Sequence, residues 1–221
     1  MMNLLLASGS PRRHELLSLL GLPFVLTTPN VVEIPRVDES PAALVVRLSR
    51  AKARAAYSEA NTQSTDTIIV ACDTVVALDG DLLGKPRDAA EATAMLGRLR
   101  NQPSHVVYSA VTLLEPATDR ALTDVAETQL TMRAYTDAEI ADYVVSGDPL
   151  DKAGAYAIQH PEFHPVATLQ GCYANVMGLP LCHLTRCLRV LGIEPFCDTP
   201  AVCQAHTGHH CPVHATILNT Q

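Results

Sequence analysis

Lysine is nearly missing from this chain. Of 16 basic residues only Lys52, Lys85 and Lys152 are lysines. A chain that otherwise uses arginine keeps lysine in three segments that look functional for other reasons. An ammonium is a compact point charge for phosphate, which the guanidinium fork does not copy. Genome base composition also explains the scarcity, but it gives no reason to place all three beside turns and acidic residues. No apolar run approaches ~18 residues, so no helical membrane span is expected. The opening "MMNLLLASGS" has no basic residue before its short apolar run, and it reads as a strand rather than a signal peptide. A net charge of −7 argues against a general nucleic-acid binder while leaving room for a local basic pocket. There is no "GxxxxGK[ST]", no "GxGxxG" after the first strand, no "HExxH" and no "GxSxG". Walker, Rossmann, zincin and nucleophile-elbow chemistry are therefore set aside.

Seven cysteines are an odd, scattered set. Without an export signal, reduced thiols and a cytoplasmic location are the expectation. Cys72, Cys172, Cys182 and Cys187 stand in apolar contexts and read as core fillers.

What is present alternates between apolar β-rich runs and helical patterns. "NLLLA" and "PFVLTT" read as strands, with a helix between them that ends at Gly21. Ser10 reads as its N-cap and Pro11 as its first residue. Ser40 and Pro41 open a long helix through Tyr57. A strand runs from Asp66 into Asp73. Asp88 and Glu91 start another helix, and "SHVVYSAVTLLEP" pairs with "RALTDVAETQLTM" as a long hairpin. Thr136 caps a further helix. An irregular segment follows, then a strand, a turn and a last helix. Helices alternating with strands, with a strand pair in the middle, give an α/β class with a mixed sheet.

Four constellations carry chemistry. In "ASGSPRRHELL", Arg12 and Arg13 fall in the first turn of a helix. The dipole there is already positive, so each arginine costs on the order of 0.3–1 kcal/mol. A bound anion, held also by the Ser8 and Ser10 hydroxyls, would reverse that sign; two solvated surface arginines are the plainer explanation. "VVEIPRVDES" sets Glu33, Asp38 and Glu39 in a loop, suited to Mg²⁺ near a triphosphate or simply to solvent. "IIVACDTVV" carries Asp73 to the mouth of a central strand, as a metal ligand, a general base for water or a buried turn cap. Lys85 follows on a Gly84 turn. "DPLDKAGAYAIQ" holds Asp151, Lys152 and Gln159 in a loop ending on a short strand, where a glutamine amide can read a base face. Together these point to metal-assisted hydrolysis of a nucleotide phosphoanhydride.

"LASGSPRR", "CDTVV", "GKP", "DKAGAYAIQ" and "YANVMGLPL" resemble, in this order, the motifs of the Maf (septum-formation protein) family of nucleoside triphosphate pyrophosphatases. The resemblance spans roughly residues 3 to 193. It implies an elongated mixed sheet flanked by helices, with two lobes and a central cleft, similar in fold to the inosine-triphosphate pyrophosphatases. It implies cleavage of a nucleoside triphosphate to monophosphate and pyrophosphate with Mg²⁺ or Mn²⁺, and a link to cell-division arrest and removal of non-standard nucleotides. Asp73 matches the proton acceptor. Arg13, Thr74 and Gln159 match positions that set base preference, and Ser8, Arg12, Lys52 and Lys85 match phosphate binders. Glu33 matches a metal or substrate carboxylate. The form "DKAGAYAIQ" resembles the branch that prefers dTTP and UTP. Two departures stand out: Pro103 and Ser104 replace the usual residues before His105, and Gln170 stands where an acid is common.

The expected division is a pyrophosphatase domain over residues 1–195 and a Cys/His-rich tail over 196–221. In the tail, Cys197, Cys203, Cys211, His206, His209, His210 and His214 form either a zinc site of no standard spacing or a tail without metal. The partner is a nucleoside triphosphate, without nucleic acid or membrane, and a homodimer stays open. Two rivals remain: a nucleotide-binding regulator of cell division with incidental turnover, and a 7-methyl-GTP pyrophosphatase.

Overall fold

The computed structural model describes residues 3–59 and 67–220. Asp66, expected to open the third strand, lies outside them, as do Met1 and Met2. In chain order the first half contains β1 (Asn3–Ala7), α1 (Pro11–Ser18), β2 (Phe24–Thr27), α2 (Pro41–Glu59), β3 (Thr67–Leu78), β4 (Asp81–Leu83) and α3 (Ala89–Asn101). The second half contains β5 (His105–Glu115), β6 (Arg120–Met132), α4 (Asp137–Val145), two 3₁₀ turns (Asp148–Asp151 and Ala153–Ala155) and β7 (Val166–Gln170). Helices α5 (Tyr173–Met177), α6 (Leu181–Val190), α7 (Thr199–Thr207) and α8 (His214–Asn219) close it.

One mixed sheet has the order β2-β1-β3-β5-β6-β7. The β1 pairings are parallel, and all pairings from β3 through β7 are antiparallel. The expected α/β class with a central hairpin is thus met. Strand β3 is the spine, and its side chains alternate between faces. Ile68, Val70, Cys72 and Val76 join the large core with Leu16 and Leu17 of α1 and Leu20 just after it. Ile69, Ala71 and Val75 face α2.

The edge of β3 creates the site. On one side it pairs with β5 from Ile69 to Ala77. On the other, β1 covers Thr67–Ala71 and β4 covers Val76–Leu78. Residues 72–75 therefore border a gap between β1 and β4. Strand β4, too short for a periodic signal, is missed by the sequence pattern, and it frames this gap.

Helix α1 survives its two arginines by burial. Leu16, Leu17 and Leu20 are fully enclosed. Each contributes ~1.5–3 kcal/mol, which outweighs the dipole cost of the arginines. Ser10 does stand at the N-cap position, but its side chain makes no capping bond. Its backbone N–H instead donates to the Ser8 hydroxyl (3.2 Å), so the expected cap is corrected. The other caps form as expected at Ser40, whose hydroxyl accepts from Ala43 N–H, and at Thr136, which closes a reciprocal box with Glu139. Asp88 accepts from Glu91 N–H, but the Glu91 carboxylate turns to Arg87 instead of closing a box.

Two further expectations change. Residues 156–160 form no strand: Ile158 and Gln159 make a turn, closed by His160 N–H donating to the Ala157 carbonyl. Lys152–Ala155 breaks the extended path there, with Gly154 at φ 70° and Ala155 at φ 61°. The last helix forms as α6, but the turn expected before it holds a short helix of its own, α5. Gly178, at φ 110°, ends α5 and Pro180 precedes α6. The tail, expected to be an appendage, folds as α7 and α8. Phe196 N–H donates to the Leu20 carbonyl and the Cys197 thiol to that of Leu19, docking the tail onto the end of α1. The departures at Pro103 and Ser104 leave no loose turn: the Pro103 carbonyl accepts from the Thr131 hydroxyl, and the Ser104 hydroxyl accepts from the Gln129 amide.

Candidate active site

The gap opens into a cavity of about 390 Å³. Its walls come from the loop after β1, the start of α1, the edge of β3, the Lys85 turn and the segment 151–159. This is the carboxyl end of a parallel strand, where α/β sheets take ligands. Arg12, Arg13, Lys52, Lys85 and Lys152 line it, against the carboxylates of Glu33 and Asp151. A chain of net charge −7 thus concentrates cations at the N-terminus of a helix that has no acid in its first turn. The first backbone N–H groups of that helix have no intrahelical partner by position. Helix dipole, orphan donors and cations share one preference, for an anion.

The cations differ in what already holds them. Arg12 pairs with Asp151 at 3.1 Å. Lys152 is buried and bonds Asp148 and Asp151. Lys52 projects from the middle of α2 rather than from beside the expected turn, and bridges Glu33 and Asp73 at 2.6 Å each. Lys85 has no ion pair among the described residues. Among the described residues Arg13 has only neutral partners. It donates to the Gly178 carbonyl (2.8 Å), the Thr74 hydroxyl (3.1 Å) and the Ser8 hydroxyl (3.4 Å). Arg13 is therefore held rigidly, and its charge stays available to a ligand.

Behind Arg13 runs a chain of buried polar groups. Thr74 and Ser109 hydroxyls meet at 2.8 Å, and Ser109 donates to the Asn175 carbonyl. The Asn175 amide donates to Val107 and Thr128. These contacts fix β3, β5 and α5 against one another. Gly178, Ser109, Asn175 and Tyr156 were not assigned from sequence. Gly178 and Asn175 lie inside the quoted "YANVMGLPL", but only the fold brings their carbonyls to the site.

Asp73 does not itself line the cavity. It points to the α2 face of β3, opposite Thr74, and Lys52 lies over it. Burial pushes its carboxyl pKa up, while Lys52 and then Arg13 pull it down and Glu33 pushes up again; the net direction is upward. Of the acidic loop, only Glu33 reaches the cavity. Glu39 is bound to Arg47, whose guanidinium holds its pKa down at about 2. Gln159 borders the cavity on an exposed turn. Ser8, Ser10, Arg12, Arg13, Lys52, Thr74, Lys85, Lys152, Gln159 and Glu33 are thus brought to one cavity, with Asp73 one ion pair behind it.

His105 supports one wall. Its Nε2 lies 2.7 Å from the Tyr156 hydroxyl, and its Nδ1 is buried without a partner. Burial lowers its pKa to about 4. The unfolded chain, with an ordinary histidine near 6.5, takes up that proton first, so stability is lost as pH falls from about 6.5 through about 4. The loss is on the order of 3 kcal/mol. Urea unfolding of wild type at pH 7 and 4.5 should show it, and His105→Gln should flatten the dependence. An equal pH dependence in both proteins would remove His105 as its source.

The cavity is a cleft of an α/β sheet whose polarity suits an anion, with the Glu33 and Asp151 carboxylates on its wall. The chain belongs to the Maf family, whose model, described as Maf-like protein, matches residues 3–191. The dTTP/UTP pyrophosphatase of Citrifermentans bemidjiense is 40% identical over 190 residues, 86% of this chain and 96% of that protein. That of Deinococcus radiodurans is 41% identical over 87% of this chain and 94% of its own length. That of Symbiobacterium thermophilum is 42% identical over 89% and 97%. Among solved structures, a nucleoside-triphosphatase / dITP/XTP pyrophosphatase from Mycobacterium abscessus matches with 18% identity and a TM-score of 0.42, covering 86% of this chain and 94% of that one. A HAM1 protein from Coxiella burnetii matches with 16% identity and a TM-score of 0.43, covering 73% and 89%. No helix among the described residues is long and apolar enough to cross a membrane.

Proposed function

We propose that this chain is a nucleoside triphosphate pyrophosphatase that hydrolyses dTTP and UTP to the monophosphate and pyrophosphate, with the cytoplasm as its compartment. The observation that carries the reading is the cationic cavity at the start of α1 in an otherwise acidic chain. Relatives about 40% identical and named for that activity support it.

In this reading the triphosphate lies on the α1 N-terminus and the Ser8–Ser10 loop. Arg13 and Lys85, the lining cations without acidic partners among the described residues, take its charge first. Arg12, Lys52 and Lys152 add to the field from within their ion pairs. Asp73 accepts the proton of the attacking water, and a raised pKa makes it a stronger base than an ordinary aspartate.

The donor set fits a hard divalent cation such as Mg²⁺ or Mn²⁺. Glu33 and Asp73 converge on one ammonium, so two carboxylates already face a common point of positive charge. Such cations use one or two carboxylates together with substrate oxygens. Glu33 and Asp73 would hold the ion, which when bound neutralises charge on the leaving pyrophosphate.

Base choice falls to Gln159, with Thr74 and Arg13 behind it. Uracil and thymine present acceptor, N–H donor and acceptor in a row, which a glutamine carbonyl and amide can pair with in part. A site built to hydrogen-bond its substrate can reject a mismatched analogue by roughly 10⁴-fold. A panel of nucleoside triphosphates scored by pyrophosphate release should place dTTP and UTP well ahead of 7-methyl-GTP. Gln159→Glu should shrink that margin, since it exchanges a donor for an acceptor. Faster turnover of 7-methyl-GTP than of dTTP by wild type would refute the base assignment.

A further inference from the structure

Four of the seven cysteines meet away from the nucleotide cavity. Cys172, at the entry to α5, and Cys182, in the first turn of α6, belong to the span that matches the family. Cys203, in α7, and Cys211, in the loop after it, lie beyond that span. All four border one cavity of about 10 Å³, with His209 and His214 at its margin. That is room for about one water-sized sphere. The core-filler reading of Cys172 and Cys182 is therefore incomplete, and the tail set must change as well. Cys197 is turned to the Leu19 carbonyl and His206 to Glu15.

We propose that the sulfurs of Cys172, Cys182, Cys203 and Cys211 bind one zinc ion and so staple the C-terminal segment to the domain. Three observations converge on it. First, the donors are all sulfur with imidazoles beside them, which selects zinc over hard cations. Second, among the described residues the thiols of Cys182, Cys203 and Cys211 donate no hydrogen bond and that of Cys172 meets only the Asn175 backbone N–H, which leaves its sulfur an acceptor, whereas those of Cys72 and Cys197 donate to carbonyls. Third, the tail is tied by polar contacts, Thr185 to Thr199 and Arg186 to the Ile217 carbonyl among them, but buries few side chains. Only Thr199 and Cys203 are buried in α7, and no residue is buried in α8. Helices this short are not stable by themselves. Gly208, at φ 63°, reverses the chain after α7, and Cys211 N–H donates to the Gln204 side chain at 2.9 Å. That turn returns Cys211 to the neighbourhood of Cys203. Among the described residues no three potential ligands already stand in ion-holding geometry. Rotation about χ1 between staggered wells is the adjustment each cysteine has available. Deprotonation of the thiols accompanies binding, so affinity should fall in acid.

The test is metal analysis of the full chain, purified without chelator from zinc-supplied cells. About one zinc per chain is expected. Cobalt(II) added after chelator treatment should give a thiolate-to-cobalt charge-transfer band. Cys203→Ser/Cys211→Ser should lower zinc content about tenfold or more, while Cys197→Ser retains it. Wild type with almost no zinc and no cobalt band overturns the proposal whether or not the variants fold. Loss of zinc in Cys197→Ser also overturns it, as does a mass showing disulfides among the four cysteines.

Discussion

Asp73→Asn is expected to lower pyrophosphate release by about 10²–10⁴-fold, the range of a lost general base. The substitution keeps shape and removes only the charge and proton affinity. Lys52 retains Glu33 as a partner. Folding should not suffer at neutral pH, and the sign of the pKa shift explains why. The folded-state pKa of Asp73 is raised, chiefly by burial. The folded protein therefore holds this proton at pH values where the unfolded chain has released it. Stability from this group falls as pH rises from 3.8 through the raised value, so a neutral amide spares that cost. Activity runs the other way and rises as Asp73 ionises. The wild-type acid limb should stand above pH 3.8. Initial rates across pH, together with thermal unfolding of both proteins, separate the two effects. Wild-type turnover by a folded Asp73→Asn protein would sink the proposed role.

Lys152→Met is the second large effect, this time on stability. The buried ammonium bonds the Asp148 carbonyl (2.6 Å), the Asp148 carboxylate (2.8 Å) and the Asp151 carboxylate (2.6 Å). Asp148 is also held by the Tyr143 hydroxyl, and Asp151 by Arg12. Burial pushes both carboxyl pKa values up, but Lys152 with these partners brings them below the ordinary value. Removing one partner of a fully buried pair costs about 3–5 kcal/mol. Here the Asp148 side chain is 32% exposed and that of Asp151 57%. Water can recover part of their charge, so about 1–3 kcal/mol is expected. The lowered pKa values mean this stability is present above pH 3.8 and is lost as pH falls through them. The difference between wild type and variant in urea should therefore be largest at neutral pH and shrink in strong acid. Activity should suffer too, because the same loop sets the Lys85 turn. Gly154 N–H donates to the Gly84 carbonyl at 3.0 Å, and a Cβ on Gly154 would come within 2.9 Å of Val76. An unchanged unfolding free energy at neutral pH would show that Lys152 is not the tie for this loop.

Much of this protein follows from local chemistry that the sequence displays. The long hairpin, the caps of α2 and α4 and the strand–helix alternation rest on period, polarity and turn residues, which are local properties. The cation list was legible as well. Arginines in the first turn of α1 and three rare lysines are anomalies of charge, and charge anomalies mark ligands. The short helix α5 was less legible, because the apolar spacing continues through Gly178 and Pro180, which part it from α6.

By itself, then, the sequence determined the elements, the α/β class and the chemical types gathered for an anion. Only the tertiary structure decided which groups meet. It left residues 72–75 of β3 uncovered between β1 and β4, which makes the cavity. It put Asp73 and Thr74 on opposite faces of one strand, so that Lys52 covers the acid while Arg13 holds the hydroxyl. It also brought Cys172 and Cys182 against Cys203 and Cys211, although the pairs look unrelated along the chain. The physical reason is common to all three. A side chain's neighbours across a sheet edge or a helix interface are fixed by packing of distant segments, and no local periodicity encodes them.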